Sequence, residues 1–177
     1  MTLSALEFTL RAAVEADAHC VATLGTQVFL DTYATDGIRP SLVREVAAQF
    51  TPDIISALIA RPQVRLVLAE RAGHLIGFAQ FDLDAPHALL PGMSAAQLNR
   101  LYVQERFTGR GVGRVLLAEV ETRAAAEGVQ ALWLSAWAGN ARALAFYPRR
   151  GYRDIGATLY EFENEKHENR IFARQFS

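Results

Sequence analysis

The chain has 177 residues, of which 51% are hydrophobic and 21% are charged, and its net charge at pH 7 is −1. This length and apolar content suit one compact domain over residues 1–177, while the balanced charge excludes the basic field that nucleic-acid binding requires. The single cysteine excludes a disulfide within the chain and favours a reducing compartment. No apolar run reaches about 18 residues and no signal-peptide pattern opens the chain, so we expect a cytoplasmic protein without membrane contact.

The first half of the chain alternates between strand and helix patterns. In chain order these are a strand over Phe8–Ala12, a helix with its apolar stripe at Cys20, Val21, Leu24 and Val28, and helices over Leu42–Phe50 and Asp53–Ala60. A polar, turn-rich segment over Asp31–Pro40 separates the first two helices. Strands over Val64–Glu70 and Leu75–Leu83 come next, and the short Arg71–His74 link between them predicts a hairpin.

The second half resumes this pattern after a loop over Asp84–Ser94, which contains two prolines and a glycine. The remaining elements are a strand over Gln97–Val103, a helix from about Gly113, a strand over Val129–Trp137, a helix capped by Asn140, and strands over Arg153–Phe162 and Asn169–Phe176. No repeat, low-complexity tract or linker interrupts this order. The sequence therefore predicts one α/β domain without a second module.

The most informative segment is the strand ending at Val103, which is followed by Gly109, Gly111 and Gly113 and then by an amphipathic helix. Glycines readily adopt positive φ and let a ligand approach the backbone closely. The first amides of the helix have no partner within the helix and carry partial positive charge. An anion, most often a phosphate, is the natural ligand of such a turn.

Two common phosphate-binding loops do not fit this segment. A Walker A loop requires Gly-Lys-Ser/Thr at its end, but Gly113 is followed by Arg114 and Val115. A dinucleotide-binding fingerprint requires a third glycine where Arg114 stands, and an acid after the next strand. Arg114 and Val115 therefore exclude a P-loop nucleotidase. Arg114, together with the absence of an acid from Val129 to Gly139, excludes a Rossmann dehydrogenase.

A second motif follows the apolar run over 131–137. It reads Asn-x-x-Ala-x-x-Phe-Tyr-x-x-x-Gly-Tyr and is formed by Asn140, Ala143, Phe146, Tyr147, Gly151 and Tyr152. Together with the glycine loop it resembles the GCN5-related N-acetyltransferases, over nearly the whole chain. In their loop pattern, Gln/Arg-x-x-Gly-x-Gly, this chain supplies Gly111 and Gly113 but has Thr108 at the opening position.

The resemblance implies a fold and an activity. The fold would be a single-domain α/β fold with a mixed, mostly antiparallel sheet of six to seven strands flanked by helices. The activity would be direct transfer of an acetyl group from acetyl-CoA, as cosubstrate, to a primary amine. The enzyme would act on a small-molecule amine as a monomer or homodimer.

The same resemblance implies the site residues. Tyr147 would protonate the departing thiolate, although the residues alone also allow a buried core aromatic there. Contacts to the donor would come from Leu101, Tyr102, Val103, Thr108, Gly109, Arg110, Gly111, Val112, Gly113, Arg114, Asn140, Ala143 and Phe146.

The general base is not evident from the sequence. Deprotonating a primary amine of pKa about 10.4 at neutral pH costs about 4.6 kcal/mol, so a group must accept that proton. Relatives often carry a glutamate in the strand before the phosphate loop, whereas this strand has Gln97 and Asn99, which do not titrate. We expect a water relay to a more distant acid or to backbone carbonyls.

Among the subfamilies, the chain looks most like the PaiA-type polyamine acetyltransferases, through residues 28–33, 132–137 and 156–160. Candidate acceptor-binding residues are Asp31, Tyr33, Asp82, Gln97, Asn99 and Trp137. Further carboxylates that could hold a polycation are Asp36, Asp84, Glu161 and Glu163. The neutral side chains at Gln97 and Asn99 weigh against a polyamine, and other primary amines, amino acids and a protein N-terminus stay open.

Two readings from other classes also stay open. The protein could bind acetyl-CoA as a sensor without catalysis, or keep the fold as an interaction domain without the cofactor. Tyr147 argues against the first reading, and Gly111 and Gly113 argue against the second. No metal is expected, because the four histidines are scattered and none pairs with another histidine or with the cysteine.

Overall fold

The computed structural model describes residues 7–162 and 165–176. Within them the helices and strands are β1 Thr9–Ala12, α1 Ala18–Tyr33, α2 Pro40–Gln49, α3 Pro52–Ala60, β2 Val64–Arg71, β3 His74–Asp82, β4 Ala95–Val103, α4 Val112–Ala126, β5 Ala131–Trp137, α5 Ala141–Phe146, β6 Arg153–Phe162 and β7 Glu165–Gln175. Short 3₁₀ helices lie at Glu15–Asp17, Glu105–Phe107 and Pro148–Arg150.

The strands form one mixed sheet in the order β1-β2-β3-β4-β5-β7-β6. The β1/β2, β5/β7 and β6/β7 pairs are antiparallel, and β4/β5 is parallel. The predicted fold class, an α/β fold with a mixed sheet flanked by helices, is therefore confirmed. The chain forms two compact units, unit 1 over residues 7–81 and 100–120 and unit 2 over 82–99, 121–162 and 165–176. A single domain over 1–177 stays a prediction.

Each predicted helix and strand is present, with two instructive shifts of boundary. Helix α1 runs to Tyr33, into the segment predicted as turns, and the rings of Phe29 and Tyr33, about one helical turn apart, are in tilted contact with centroids 4.7 Å apart. Strand β7 begins at Glu165 rather than Asn169, because it pairs with the whole of β6. Helix α5 ends at Phe146, and the 3₁₀ turn that follows stops at Gly151, which has φ 81°.

Unit 1 has an apolar core between the sheet and helices α1 and α3. Val21, Ile55, Leu68 and Phe78 are fully or almost fully buried in it. A neighbouring cluster contains Phe29, Leu42 and Phe50, with Tyr102 packed against it. Gly25 is required beside this cluster, since a Cβ there would lie 2.4 Å from a ring carbon of Phe50.

Unit 2 has a smaller core built on β4, β5 and β7. Its buried members are Leu90, Ala95, Ala131 and Ala173. Trp133 packs against them and donates its indole N–H to the carbonyl of Ala85 at 2.7 Å. This hydrogen bond anchors the loop after β3, which the sequence predicted as irregular.

Arg11 joins β1, β2 and the 3₁₀ turn in unit 1. Its guanidinium donates to both carboxylate oxygens of Asp17 at 2.7 and 2.8 Å, and to both of Glu70 at 2.9 and 2.6 Å. The Val14 amide also donates to Asp17, at 2.8 Å. The hydrogen bonds from Arg11 hold the pKa of Asp17 below its usual range.

The Arg11 cluster predicts a pH-dependent stability. Because the pKa of Asp17 is depressed in the folded state, its contribution is complete above the unfolded pKa of about 3.9 and is lost as the pH falls through the folded pKa. Arg11→Met should lower the free energy of unfolding by about 1 kcal/mol at neutral pH, a modest value since Arg11 is partly exposed. Urea unfolding should show this difference shrinking in acid, relative to an Arg71→Met control. A difference that stays constant down to about pH 2 would contradict the assignment.

Candidate active site

The glycine turn of unit 1 uses the conformational freedom of two of its three glycines. Gly109 and Gly111 are left-handed, with φ 71° and 89°, and a Cβ at either position would meet no atom within 4 Å. Gly113 lies inside α4, which begins at Val112, close to the predicted start near Gly113. The Val115 amide donates to the Gly111 carbonyl at 3.0 Å, so the amides before it have no partner within the helix.

The polar side chains of this turn differ in their bonding. The Thr108 hydroxyl donates to the Glu105 carbonyl at 2.8 Å, and the Thr108 amide bonds the same oxygen at 3.1 Å. Thr108 therefore closes the turn. Arg110 and Arg114 are exposed, and neither has an ion-pair partner in the described part of the chain. Both guanidinium groups are available to an anion held by the turn.

Strand β4 is paired unevenly along its length. Its parallel register with β5 covers only Ala95–Gln97, opposite Ala131–Trp133. The segment Leu101–Val103, predicted to bind the donor, comes after that register. Of the neutral residues predicted near the reaction, Gln97 is half-buried and Asn99 is exposed.

In unit 2, the predicted cap and the predicted acid occupy the ends of α5. The Asn140 side-chain oxygen accepts a hydrogen bond from the Ala143 amide at 3.0 Å, which leaves the side-chain NH₂ as a donor. Tyr147 is 8% exposed. Its ring lies edge-on to that of Phe146, with the ring centroids 5.1 Å apart. The centroids of the Tyr152 and Phe172 rings are 5.7 and 5.9 Å from that of Tyr147. Three aromatic rings thus fix the position of the Tyr147 phenol.

A hydrogen-bonded network lies beside Tyr147 and was not predicted from the sequence. The Tyr152 hydroxyl donates to Glu121 at 2.9 Å, and Arg174 donates to the other Glu121 oxygen at 3.0 Å. Burial, followed by the negative charge of Glu121, raises the pKa of Tyr152. Tyr152 therefore stays neutral and supports the ring of Tyr147.

The predicted acceptor-binding residues fall in both units. Asp31 and Tyr33 belong to unit 1, where both are exposed near the end of α1. Asp82, Gln97, Asn99 and Trp137 belong to unit 2. One Asp82 carboxylate oxygen accepts from the Asp84 amide at 3.1 Å, which stabilises the turn after β3. Glu163 lies outside the described residues.

Unit 1 also contains a buried polar cluster that the sequence did not reveal. The Arg100 guanidinium donates to the side-chain oxygens of Gln80 and Gln49, the latter at 2.8 Å. Its central carbon lies 4.9 Å from the ring centroid of Phe50, and it also interacts with the Tyr102 hydroxyl. Burial lowers the pKa of Arg100, and burial raises the pKa of Tyr102. The sequence shows Arg100 only as one arginine within an apolar strand, and no motif or spacing in it indicates Gln80 or Gln49 as a partner.

Residues 14–152 match the model of the acetyltransferase (GNAT) family. The chain therefore belongs to the GNAT acetyltransferases, as the glycine loop and the Asn140 motif predicted.

Individual relatives are distant. An uncharacterized N-acetyltransferase in the pepI 3′ region of Lactobacillus delbrueckii subsp. lactis is 23% identical over 128 residues, which cover 72% of this chain and 74% of that protein. The IAA acetyltransferase of Azospirillum brasilense is 30% identical over 98 residues, 55% of this chain and 60% of that protein. The crystal structure of PaiA N-acetyltransferase from Thermoplasma acidophilum with coenzyme A has a TM-score of 0.74 at 18% identity, covering 96% of this chain and 99% of that chain. This last likeness concerns the fold.

Neither a membrane-spanning helix nor a metal-binding group of side chains occurs in the described residues. None of the helices there combines the length and apolar content needed to span a bilayer. No group of three or more His, Cys, Asp or Glu side chains is placed to hold a metal ion in the same residues.

Gly139 determines where the Trp137 indole lies. A Cβ at Gly139 would be 2.4 Å from a ring carbon of Trp137, so Gly139→Ala must displace the indole. We expect changed tryptophan fluorescence and near-ultraviolet circular dichroism, and a loss of about 1 to 3 kcal/mol in unfolding free energy. Ala138→Ser, at the exposed neighbouring position, is the control. An alanine variant with the control's spectra would contradict this packing.

Proposed function

We propose that this protein transfers the acetyl group of acetyl-CoA to a primary amine of a small molecule. The observation that carries the proposal is the left-handed turn at Gly109 and Gly111, which opens directly onto the N-terminus of α4. Unpaired amides at this position suit the pyrophosphate of the donor. Arg110 and Arg114 would add charge pairing from the same turn.

The remaining donor contacts follow from the motif residues. Leu101, Tyr102 and Val103 would bond the pantetheine arm through their backbones, as an added strand does. The end of the β4/β5 register before this segment supports that role. In unit 2, Asn140 would donate its side-chain NH₂ to the arm, and Ala143 and Phe146 would pack beside it.

The reaction we propose is a direct attack without a covalent enzyme intermediate. The free amine nitrogen bonds to the thioester carbonyl carbon, the carbon–sulfur bond breaks, and the sulfur takes the proton of the Tyr147 hydroxyl. The nitrogen loses its extra proton to water, and this proton restores the tyrosine. Neutral Gln97 and Asn99 are consistent with a water relay in place of a side-chain base on β4.

The identity of the amine is a separate question. The PaiA-type resemblance favours a polyamine, for which carboxylates would supply the binding charge. Asp31 and Asp36 in unit 1 are exposed, and in unit 2 Asp82 is half-buried and Asp84 is exposed. Surface acids of this kind solvate a protein in most cases, so the polyamine stays a prediction. The cytoplasmic location and the oligomeric state, monomer or homodimer, also stay predictions.

A non-catalytic acetyl-CoA sensor is the competing hypothesis. Thiol release measured with acetyl-CoA and a panel of amines distinguishes the two. An enzyme releases coenzyme A in proportion to the amine acetylated, whereas a sensor binds acetyl-CoA with no acceptor-dependent release. The fixed Tyr147 phenol supports the enzyme.

Gly111→Val tests the donor site. The new side chain would occupy the space in which the phosphates lie, so acetyl-CoA affinity should fall about tenfold or more, equivalent to about 1.4 kcal/mol. Gly92→Val is a matched control, because Gly92 is also left-handed, with φ 73°, and is also unobstructed. Titration calorimetry should separate the two variants, although both lose some stability. Equal affinity in a folded Gly111→Val variant would exclude this turn as the donor site.

Tyr147→Phe tests the acid. The ring and its aromatic neighbours are kept and the hydroxyl is removed, so turnover should fall about a hundredfold with little change in acetyl-CoA affinity. Tyr152→Phe is the matched control, since this adjacent buried tyrosine bonds Glu121 instead. The control should lose stability and keep most of its turnover. Normal turnover in Tyr147→Phe would reduce this residue to a packing role.

A further inference from the structure

Arg100 is a partly buried cation whose partners are all neutral. Its guanidinium is held by Gln49, Gln80, Tyr102 and the face of the Phe50 ring. In the described part of the chain no carboxylate pairs with it, in contrast to Arg11, which binds two. The nearest acid in this network, Glu45, bonds the Gln49 side-chain nitrogen instead.

Such an arrangement is costly unless something compensates for the charge. Taking a cation out of water has a large desolvation cost, and neutral hydrogen bonds offset only part of it. An arginine always keeps its charge, so it cannot avoid this cost by losing its proton. Among the described residues, therefore, no carboxylate contacts this positive charge directly.

Arg100 keeps part of its surface open to solvent within unit 1. It is half-buried rather than sealed, and the Tyr102 hydroxyl hydrogen-bonds Arg100 and lies within electrostatic range of Tyr33. Tyr33 is 38% exposed at the end of α1, where the connection to α2 begins. Tyrosine hydroxyls both donate and accept, so Tyr33 and Tyr102 can bond a ligand between the surface and Arg100.

The position of Arg100 along β4 connects this charge with the reaction. It immediately precedes Leu101–Val103, the segment proposed to bind the donor arm. Adjacent Cα atoms are about 3.8 Å apart, so a ligand held at Arg100 lies within a small molecule's length of that segment. A group anchored there would belong to the acceptor.

We propose that Arg100, with Tyr102 and Tyr33, binds a carboxylate of the acceptor, so that the substrate is a carboxylate-bearing primary amine such as an amino acid rather than a polyamine. This inference rests on the proposed acetyl transfer and names its substrate class. A guanidinium fork matches the geometry of a carboxylate, whereas a polyamine would meet repulsion from the same charge.

The test uses amine pairs that differ only by the carboxylate: lysine with cadaverine, ornithine with putrescine, and phenylalanine with phenethylamine. The readout is the ratio of kcat/KM within each pair, from thiol release with acetyl-CoA. The wild type should prefer the carboxylate member of at least one pair. Arg100→Met should reduce that ratio about 10- to 100-fold, the range for a charged hydrogen bond, while Arg71→Met should keep the wild-type ratio.

A second variant separates recognition from folding. Gln80→Glu keeps the shape of the side chain that accepts from Arg100 and supplies an internal carboxylate. It should reduce the same ratio without loss of stability, because the guanidinium is then neutralised within the fold. If Arg100→Met fails to fold, this variant decides. Preference of the wild type for the decarboxylated member of every pair, or equal ratios in Arg100→Met and Arg71→Met, would overturn the proposal.

Failure of the proposed function would look different. If no amine is acetylated, acetyl transfer is contradicted, and calorimetry of the same pairs on the CoA-saturated protein still tests Arg100. Tighter binding of the carboxylate members, lost in Gln80→Glu, would support the anion subsite. Equal binding of both members would overturn it.

Discussion

The start of α4 imposes the constraint on which the candidate donor site depends. A helix cannot satisfy its own first amides, and the chain enters this helix from a short 3₁₀ helix through a turn that has left-handed glycines at two positions. Thr108 closes the turn by bonding the Glu105 carbonyl through its hydroxyl and its amide, and the first helical amide that pairs within α4 is that of Val115. In the proposed donor site the backbone would therefore provide the anion-binding groups, and the arginines around it would only add charge.

Features that depend on near neighbours in sequence could be predicted. The strand and helix periods, the Asn140 cap and the left-handed Gly109 and Gly111 are all local, because each follows from the conformational preference of a residue or from its bond a few positions away. A boundary differed where packing favoured a longer element. Helix α1 continues to Tyr33, whose ring lies in tilted contact with that of Phe29, whereas the start of α4 at Val112 agrees with the predicted start near Gly113.

Polar partnerships between distant elements could not be predicted. Arg100 bonds residues 20 and 51 positions away, and Glu121 bonds residues 31 and 53 positions away. Hydrophobic periodicity shows which face of a strand is buried, but it does not show which polar groups meet there. Arg11 binds two acids, whereas Arg100 binds none among the residues that the structure describes, and this contrast arises only from the tertiary fold.

The neutral surroundings of Arg100 also affect how acid and base conditions act on this protein. Glutamine amides do not titrate, the guanidinium keeps its proton, and burial raises the pKa of Tyr102 further from neutrality. The charge of this cluster is therefore constant across the range in which an amine changes from ammonium to free base. A dependence of acceptor turnover on pH would then arise outside the Arg100 cluster, at the amine or at the groups that transfer protons in the reaction.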